Sequence, residues 1–226
     1  MRSTDLTRRL GAEFIGTAFL LATIAGSGIM GETLFADQTG GQAGAVLLPH
    51  SLAIGAILFV MITLLGPVSG AHFNPAVSLA FVLRGEIGRR DFSLYIVTQI
   101  IAAIIGVWIA HLMFDLSILQ TAAKTRTGLG QWSAEAVATF GLVFTILAGL
   151  KVRPRAVPAL VGLYIMAALW FTASTGFANP AVTVARMLTD TYSGIAPADA
   201  PAFIAAQLAG AALAVPAARF LWPDEK

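Results

Sequence analysis

The tetrad Asn-Pro-Ala-Val occurs twice in the 226-residue chain, at positions 74–77 and 179–182. Each copy begins an apolar run that is too short to cross a bilayer, for which about 20 residues are needed. Asparagine is a favoured N-cap and proline is favoured at the first helical position, so each tetrad predicts the start of a short helix. Two interrupted segments at matching places in two halves are typical of a transport site near the middle of a membrane.

The composition predicts an integral membrane protein. Hydrophobic residues make up 57% of the chain and charged residues only 12%, whereas soluble domains carry about 25% charged residues. There is no cysteine, which excludes disulfides and cysteine metal sites, and the net charge of +2 is too small and scattered to favour nucleic acid. The apolar stretches predict full spans near 10–29, 44–65, 92–114, 132–150, 156–173 and 201–222, and half-spans at 74–83 and 179–188.

The two halves of the chain repeat one order of features. Each has an acidic span (Glu13 or Glu135), a plain span, an Asn-Pro-Ala half-helix and a span with a glutamine (Gln99 or Gln207). Because each half holds three full spans, an odd number, the second half must be inverted relative to the first. We therefore predict one transmembrane domain, 1–226, whose halves cover about 1–115 and 131–226.

Basic residues are distributed unevenly over the predicted loops, and cytoplasmic loops normally carry the excess. With the N-terminus in the cytoplasm, Lys124, Arg126 and Arg186 lie outside. The other eleven lie inside: Arg2, Arg8, Arg9, Arg84, Arg89, Arg90, Lys151, Arg153, Arg155, Arg219 and Lys226. The sequence thus predicts a multi-pass protein with both termini in the cytoplasm, in the inner membrane if the cell is bacterial.

Inversion would bring one half-helix in from each face, so that the two tetrads meet near the middle. The amides of Asn74 and Asn179 would then donate hydrogen bonds into a lumen beside two positive helix ends. Such a field is a known barrier to cations and protons. Passive passage of small neutral molecules is the function that this arrangement favours.

Taken together, the paired tetrads, the run Ser-Gly-Ala-His-Phe-Asn-Pro-Ala-Val at 69–77, the two acidic spans and the six-span order resemble the aquaporin and aquaglyceroporin family. The resemblance covers essentially the whole chain. It implies an all-α membrane protein with six transmembrane helices, two re-entrant half-helices and an inverted repeat, a homotetramer with one pore per subunit, and no cofactor or metal. The implied pore motifs are Asn74, Pro75, Ala76, Asn179, Pro180 and Ala181.

The chain departs from the family pattern at Val182, where most members have a filter arginine. The resemblance, carried over by spacing, places Ile54, Phe177 and either Ala168 or Ala167 at the other filter positions. These residues would make a wide apolar filter, unless Trp170 packs close enough to narrow it. The departure resembles a bacterial subgroup often linked to arsenic-resistance genes, which implies metalloid hydroxides or methylated arsenicals as solutes.

Four further residues have open interpretations. Arg186 either lines the outer vestibule as a displaced arginine or forms a surface pair with Asp190, four residues on. His72, on the cytoplasmic side of the pore, either senses pH or has a structural role beside the pore. Glu13 and Glu135 either couple to protons or accept hydrogen bonds from the half-helix loops, and we favour the second role. His50 and His111 are interpreted as interfacial.

The sequence therefore predicts a passive channel for small uncharged solutes such as glycerol-like polyols and arsenous acid, with water as a second permeant. An ion-coupled secondary transporter and a non-conducting structural membrane protein remain alternatives. An enzyme is disfavoured, because the chain has no nucleophile–base set, metal cluster or phosphate loop.

Overall fold

The computed structural model describes residues 5–35 and 43–223. These residues form eight α-helices and a short 3₁₀ turn, Pro154–Ala156. The helices are α1 (Leu6–Phe35), α2 (Ala43–Ser69), α3 (Pro75–Leu83), α4 (Arg89–Met113), α5 (Leu129–Val152), α6 (Val157–Phe171), α7 (Pro180–Arg186) and α8 (Ala200–Leu221). Within this part of the chain, six helices are long and apolar enough to cross a membrane, as predicted. Arg2 and Lys226, two of the predicted cytoplasmic charges, lie outside the described residues.

The predicted end of the second span is wrong. Gly66 and Pro67 do not stop α2, which continues to Ser69. Proline breaks a helix interior because it lacks an N–H and its ring crowds the preceding turn. Pro67 sits in the last turn, and the Gly70 N–H still bonds to the Gly66 carbonyl at 3.0 Å. The helix therefore extends until the chain must turn inward toward α3.

The two half-helices begin as their sequence predicts. Asn74 and Asn179 are the N-caps of α3 and α7, with extended backbones and φ of −158° in both. The Asn74 side chain accepts from the Ala76 N–H at 2.8 Å. Asn179 accepts from the Ala181 N–H at 2.9 Å. A side-chain oxygen at this position satisfies one of the free N–H groups of a first turn.

Equivalent helices of the two halves pack in equivalent pairs, α1 on α4 and α5 on α8. Both contacts depend on a glycine. A Cβ at Gly106 would lie 2.4 Å from the Ala18 carbonyl oxygen, and one at Gly210 would lie 2.3 Å from that of Ala136. Small residues allow membrane helices to approach this closely. The inverted arrangement thus has the same tight helix contact in each half.

The long connection between the halves, residues 114–128, crosses over the end of α7. The Ala122 N–H donates to the Met187 carbonyl at 2.9 Å, and the Lys124 carbonyl accepts from the Ala196 N–H at 2.7 Å. These bonds hold the connection against the segment that follows α7. They bring Arg126 to the end of the pore where Arg186 lies.

Candidate pore and its outer mouth

The two tetrads are joined to each other at the centre of the protein. The Asn74 amide donates to the Ala178 carbonyl at 2.7 Å, and the Asn179 amide donates to the Phe73 carbonyl at 2.8 Å. Each side-chain amide has two N–H groups. One of each is therefore used across the junction, and the other is left for the cavity that both asparagines line.

Glu13 holds the loop that leads into α3. Its carboxylate accepts from the backbone N–H groups of His72 (2.9 Å) and Phe73 (2.7 Å), from Ser69 Oγ (2.7 Å) and from Gln99 Nε2 (2.9 Å). The side chain is completely buried. Buried donors of this kind need an acceptor, and a carboxylate can serve several at once.

Glu135 does the same for the loop that leads into α7. It accepts from the N–H groups of Phe177 and Ala178, both at 2.9 Å, and from Gln207 Nε2 at 2.6 Å. Glu13 and Glu135 do not line the cavity. These contacts match the loop-holding role that the sequence favoured.

Both loops have residues with left-handed backbones. In the second, Thr175 and Ala178 have φ of 61° and 49°, and in the first, Ala71 and Phe73 have φ of 50° and 48°. A non-glycine residue in this region costs about 1–3 kcal/mol and persists where its surroundings hold it in place. The carboxylates of Glu13 and Glu135 supply this restraint by accepting the N–H groups of Phe73 and Ala178.

A cavity that both asparagines line runs past the junction of the tetrads. His72 lines one part of it and Arg186 another. The walls are stripes at helical spacing: Leu20 and Ile24 of α1, Ile54, Leu58 and Ile62 of α2, Leu142 and Ile146 of α5, and Val161, Ile165 and Leu169 of α6. Leu20 and Leu142 have the same separation in the sequence as Glu13 and Glu135, and so do Ile24 and Ile146. Each half therefore supplies a matching wall.

Of the predicted filter residues, Ile54, Phe177 and Val182 line this cavity. Ala168 does not, contrary to the prediction. Its side chain packs behind the loop, where a Cβ at Gly176 would meet it at 3.1 Å. Ala167 is exposed on the outside of the bundle. The wall of α6 follows every fourth residue, so Leu169 takes the position predicted for an alanine.

Trp170 does not narrow the cavity. The side chain is 52% exposed on the outside of the bundle, and its indole N–H donates to Ser51 Oγ at 3.1 Å. It lies next to Leu169 in sequence but on another face of α6.

Arg186 lies in the protein, not on its surface. It is 4% exposed and lines the cavity with Phe177 and Val182. Its Nε donates to the Ser193 carbonyl, and its guanidinium carbon lies 3.4 Å from the centre of the Phe177 ring. Asp190 instead accepts from the Ala123 N–H at 2.9 Å. The geometry is that of the vestibule alternative, not of the surface pair.

Arg126 is a residue of this region that the sequence did not single out. It is 7% exposed, and its guanidinium carbon lies 5.0 Å from the centre of the same Phe177 ring. Its Nε donates to the Gly194 carbonyl at 2.9 Å. Nothing local in the sequence distinguishes it from any polar loop residue. We call the end of the cavity that Phe177, Val182 and Arg186 line, together with Arg126 beside the Phe177 ring, the outer mouth.

His72 lies in the loop before α3. Its backbone N–H donates to Glu13, its ring Nδ1 is 3.0 Å from Ser78 Oγ, and the ring stacks on Phe81 with centroids 4.5 Å apart. His50 and His111, which the sequence analysis interprets as interfacial, are both buried and have polar partners. His50 is buried against Ser27 (2.8 Å), and the ring of His111 contacts Thr189 Oγ1 (2.8 Å) and the Ile118 carbonyl (3.0 Å).

Lys124, near the outer mouth, makes the free energy of unfolding depend on pH. Partial burial, and then the charges of Arg126 and Arg186, lower the pKa of Lys124 from 10.5 to about 8, which Glu32 opposes. Between the lowered pKa and 10.5, the unfolded chain binds more protons than the folded protein does. The free energy of unfolding therefore rises with pH across this range. Below it, the destabilisation caused by the buried charge of Lys124 is fully present. Burial also raises the pKa of the adjoining Tyr192.

We expect the melting temperature in detergent to rise more between pH 7 and about pH 9 for the wild type than for Lys124→Gln. Thermal unfolding followed by tryptophan fluorescence measures both. An equal rise in the two proteins would contradict the lowered pKa of Lys124.

The chain matches the family described as "Major intrinsic protein" over residues 1–177. The chain belongs to the major intrinsic protein family. It is 54% identical over 221 residues to "Aquaglyceroporin AqpS" of Rhizobium meliloti (strain 1021), covering 98% of this chain and 93% of that protein. It is 33% identical over 187 residues to "Aquaporin TIP1-2" of Musa acuminata, covering 76% and 71%.

Among solved structures, the chain is similar to the aquaglyceroporin from Plasmodium falciparum, with a TM-score of 0.71 over 96% of this chain and 95% of that one. At 21% identity this likeness concerns the fold. It confirms the predicted aquaporin fold. Proteins of the family are membrane channels for water and small solutes and not enzymes, so the predicted class, a multi-pass channel protein, is also confirmed.

Proposed function

We propose that the chain is a passive channel for small uncharged solutes larger than water, with water as a second permeant. The solutes include glycerol-like polyols, metalloid hydroxides such as arsenous acid, and methylated arsenicals. The observation that carries the proposal is the apolar lining beside the tetrads, in which Ile54, Leu169 and Val182 face the cavity. The name of the 54% identical relative, an aquaglyceroporin, supports the same solute class.

The lining explains why neutral solutes would pass and ions would not. The free N–H groups of Asn74 and Asn179 can donate to a solute hydroxyl in transit. The apolar stripes of α1, α2, α5 and α6 offer nothing that replaces the hydration shell of an ion, and burying an uncompensated charge is very costly. In this proposal Asn74, Pro75, Ala76, Asn179, Pro180 and Ala181 form the pore motifs, and Ile54, Phe177, Val182 and Leu169 form the filter.

The two alternatives from the sequence find less support. An ion-coupled transporter needs an ionisable group in the solute path, and the carboxylates of Glu13 and Glu135 are instead saturated by loop donors away from the cavity. His72 is the titratable cavity residue at the other end, and its ring is engaged with Ser78 and Phe81. A purely structural protein would not need an open cavity past two polar amides.

We further propose that the chain forms one transmembrane domain and assembles as a homotetramer with one pore per subunit. Both termini lie in the cytoplasm, and in a bacterium the protein lies in the inner membrane. The positive-inside distribution of charge supports the orientation. Large apolar side chains exposed on the outside of the bundle, such as Phe19, Leu64, Leu163 and Leu213, provide surface for lipid or for neighbouring subunits.

The test is stopped-flow light scattering on proteoliposomes with water, glycerol and arsenous acid in one preparation. We expect solute flux that is linear in concentration and independent of any ion gradient. Val182→Trp should block the solute flux. Leu163→Trp should not, because Leu163 is 63% exposed on the outside of the bundle. Saturable flux that needs a proton gradient would favour the transporter, and flux of water alone would contradict the proposed filter.

A further inference from the structure

The outer mouth holds two buried guanidinium groups beside one aromatic ring. The guanidinium carbons of Arg186 and Arg126 lie 3.4 and 5.0 Å from the centre of the Phe177 ring. Like charges this close repel each other strongly away from water. Neither guanidinium forms an ion pair: within the described residues the salt bridges are Arg9–Asp91 and Arg84–Glu86, both remote from this site.

The described carboxylates near the mouth are used elsewhere, including Glu135, which accepts from the Phe177 and Ala178 N–H groups. Asp199 accepts from the Arg126 backbone N–H at 2.7 Å, Asp190 from the Ala123 N–H at 2.9 Å, and Glu32 from the Tyr192 N–H at 3.0 Å. Each satisfies a loop amide instead of a guanidinium. Within residues 5–35 and 43–223, no carboxylate therefore forms an ion pair with either guanidinium.

The two arginines differ in what they have left to donate. Arg126 uses Nε on the Gly194 carbonyl, Nη1 on that of Ser174 and Nη2 on that of Tyr192. Arg186 uses Nε on the Ser193 carbonyl, and its Nη1 and Nη2 have no hydrogen-bond partner among residues 5–35 and 43–223. Only 4% of Arg186 is exposed, but its side chain lines the cavity.

We propose that Arg186, with Arg126 behind it, forms a binding site for a small monoanionic carboxylate or oxoacid at the outer mouth. A planar guanidinium fork matches two oxygens of such an anion, and charge-assisted bonds of this type are the strong ones. Stacking on Phe177 occupies a face of the guanidinium and leaves its edge N–H groups free. Arg126 adds a second positive charge without competing for the anion.

An anion bound there would obstruct the path of neutral solutes. Ile24, Ile54 and Leu58 line the cavity below and cannot replace its hydration, so it would not pass further. Small anions should therefore act as reversible inhibitors of neutral-solute flux. This consequence rests on the proposed channel function, whereas binding itself does not.

The probe is methanesulfonate, which stays ionised at all relevant pH values, and dimethyl sulfone is its uncharged counterpart. Glycerol flux is measured in proteoliposomes with either compound at constant ionic strength. Isothermal titration calorimetry of the detergent-solubilised protein measures binding without flux. We expect saturable inhibition and heat with methanesulfonate, and neither with dimethyl sulfone.

Arg186→Gln should raise the half-inhibiting concentration and the dissociation constant at least about tenfold. Arg126→Gln, a second variant, should raise both by a smaller factor. Arg155→Gln, at an exposed arginine remote from the mouth, should match the wild type. Each variant is compared with its own uninhibited flux.

Absence of heat with methanesulfonate, or equal binding by Arg186→Gln and the wild type, would overturn the site. Heat that is lost in Arg186→Gln, without glycerol flux in the wild type, would support the site and contradict the channel proposal. Failure of the anion site and failure of the channel proposal therefore give different results.

Discussion

Replacement of Glu135 by leucine is expected to lower the free energy of unfolding by at least about 3 kcal/mol. The leucine would leave the Phe177 and Ala178 N–H groups and Gln207 Nε2 without their acceptor, and each buried unsatisfied donor costs about 1–3 kcal/mol. Release of Ala178 would also relax its left-handed backbone, so that the loop before α7 loses its shape. Unfolding in mixed micelles and glycerol flux should both report the change.

Glu135→Gln is the graded variant, since it keeps one acceptor oxygen but turns an N–H toward a donor. The free energy of unfolding of Glu135→Gln should lie between that of Glu135→Leu and that of the wild type. Glu86→Gln, at an exposed ion pair with Arg84, is the matched control and should change stability by only about 0–1 kcal/mol. A stable and fully active Glu135→Leu would show that the loop holds its own conformation and that the carboxylate role is wrong.

Val182→Arg is expected to lower glycerol flux at least about tenfold, which corresponds to a barrier increase of about 1.4 kcal/mol. Val182 is 2% exposed, lines the cavity and lies one helical turn before Arg186. A guanidinium there would occupy the apolar lining and add a third charge to Arg126 and Arg186. Water needs less room than glycerol, so its flux should fall less.

Val182→Met separates length from charge, because methionine adds a long apolar side chain without a guanidinium. It should lower glycerol flux less than Val182→Arg does. Fluxes of water and glycerol are compared in the same proteoliposomes, with the amount of folded protein checked by size-exclusion chromatography. Unchanged glycerol flux in a folded Val182→Arg would remove Val182 from the filter.

Local chemistry accounts for the parts of the fold that could be predicted. A proline after an asparagine specifies a helix start wherever the chain places it, and Asn74 and Asn179 act as caps in the structure. Apolar stretches of membrane length give six spans, and the repeated acidic, Asn-Pro-Ala and glutamine positions give two halves. The predicted end of α2 is too early, because the one N–H that Pro67 lacks does not stop the helix, and the Gly70 N–H still bonds to the Gly66 carbonyl.

Which side chains line the cavity depends on the rotation of each helix about its axis, and the spacing of residues in the sequence does not determine that rotation. Leu169 and Ala168 are adjacent in sequence, yet their side chains leave α6 about 100° apart, since the helix has 3.6 residues per turn. Only the packing of α6 against α2 and the Gly176 loop places Leu169 in the cavity and Ala168 behind it. The same rotation turns Trp170 away from the cavity.

By itself, the sequence determined the spans, the two half-helices, the inverted repeat and the acidic residues that hold their loops, because these follow from hydropathy, capping and repetition within short segments. The tertiary structure alone decided the outer mouth. Arg126 and Arg186 are 60 residues apart in the chain, and hydrogen bonds from residues 122–126 to the segment after α7 bring them to one ring. Their cationic site arises from that folding of a loop, which no local pattern encodes.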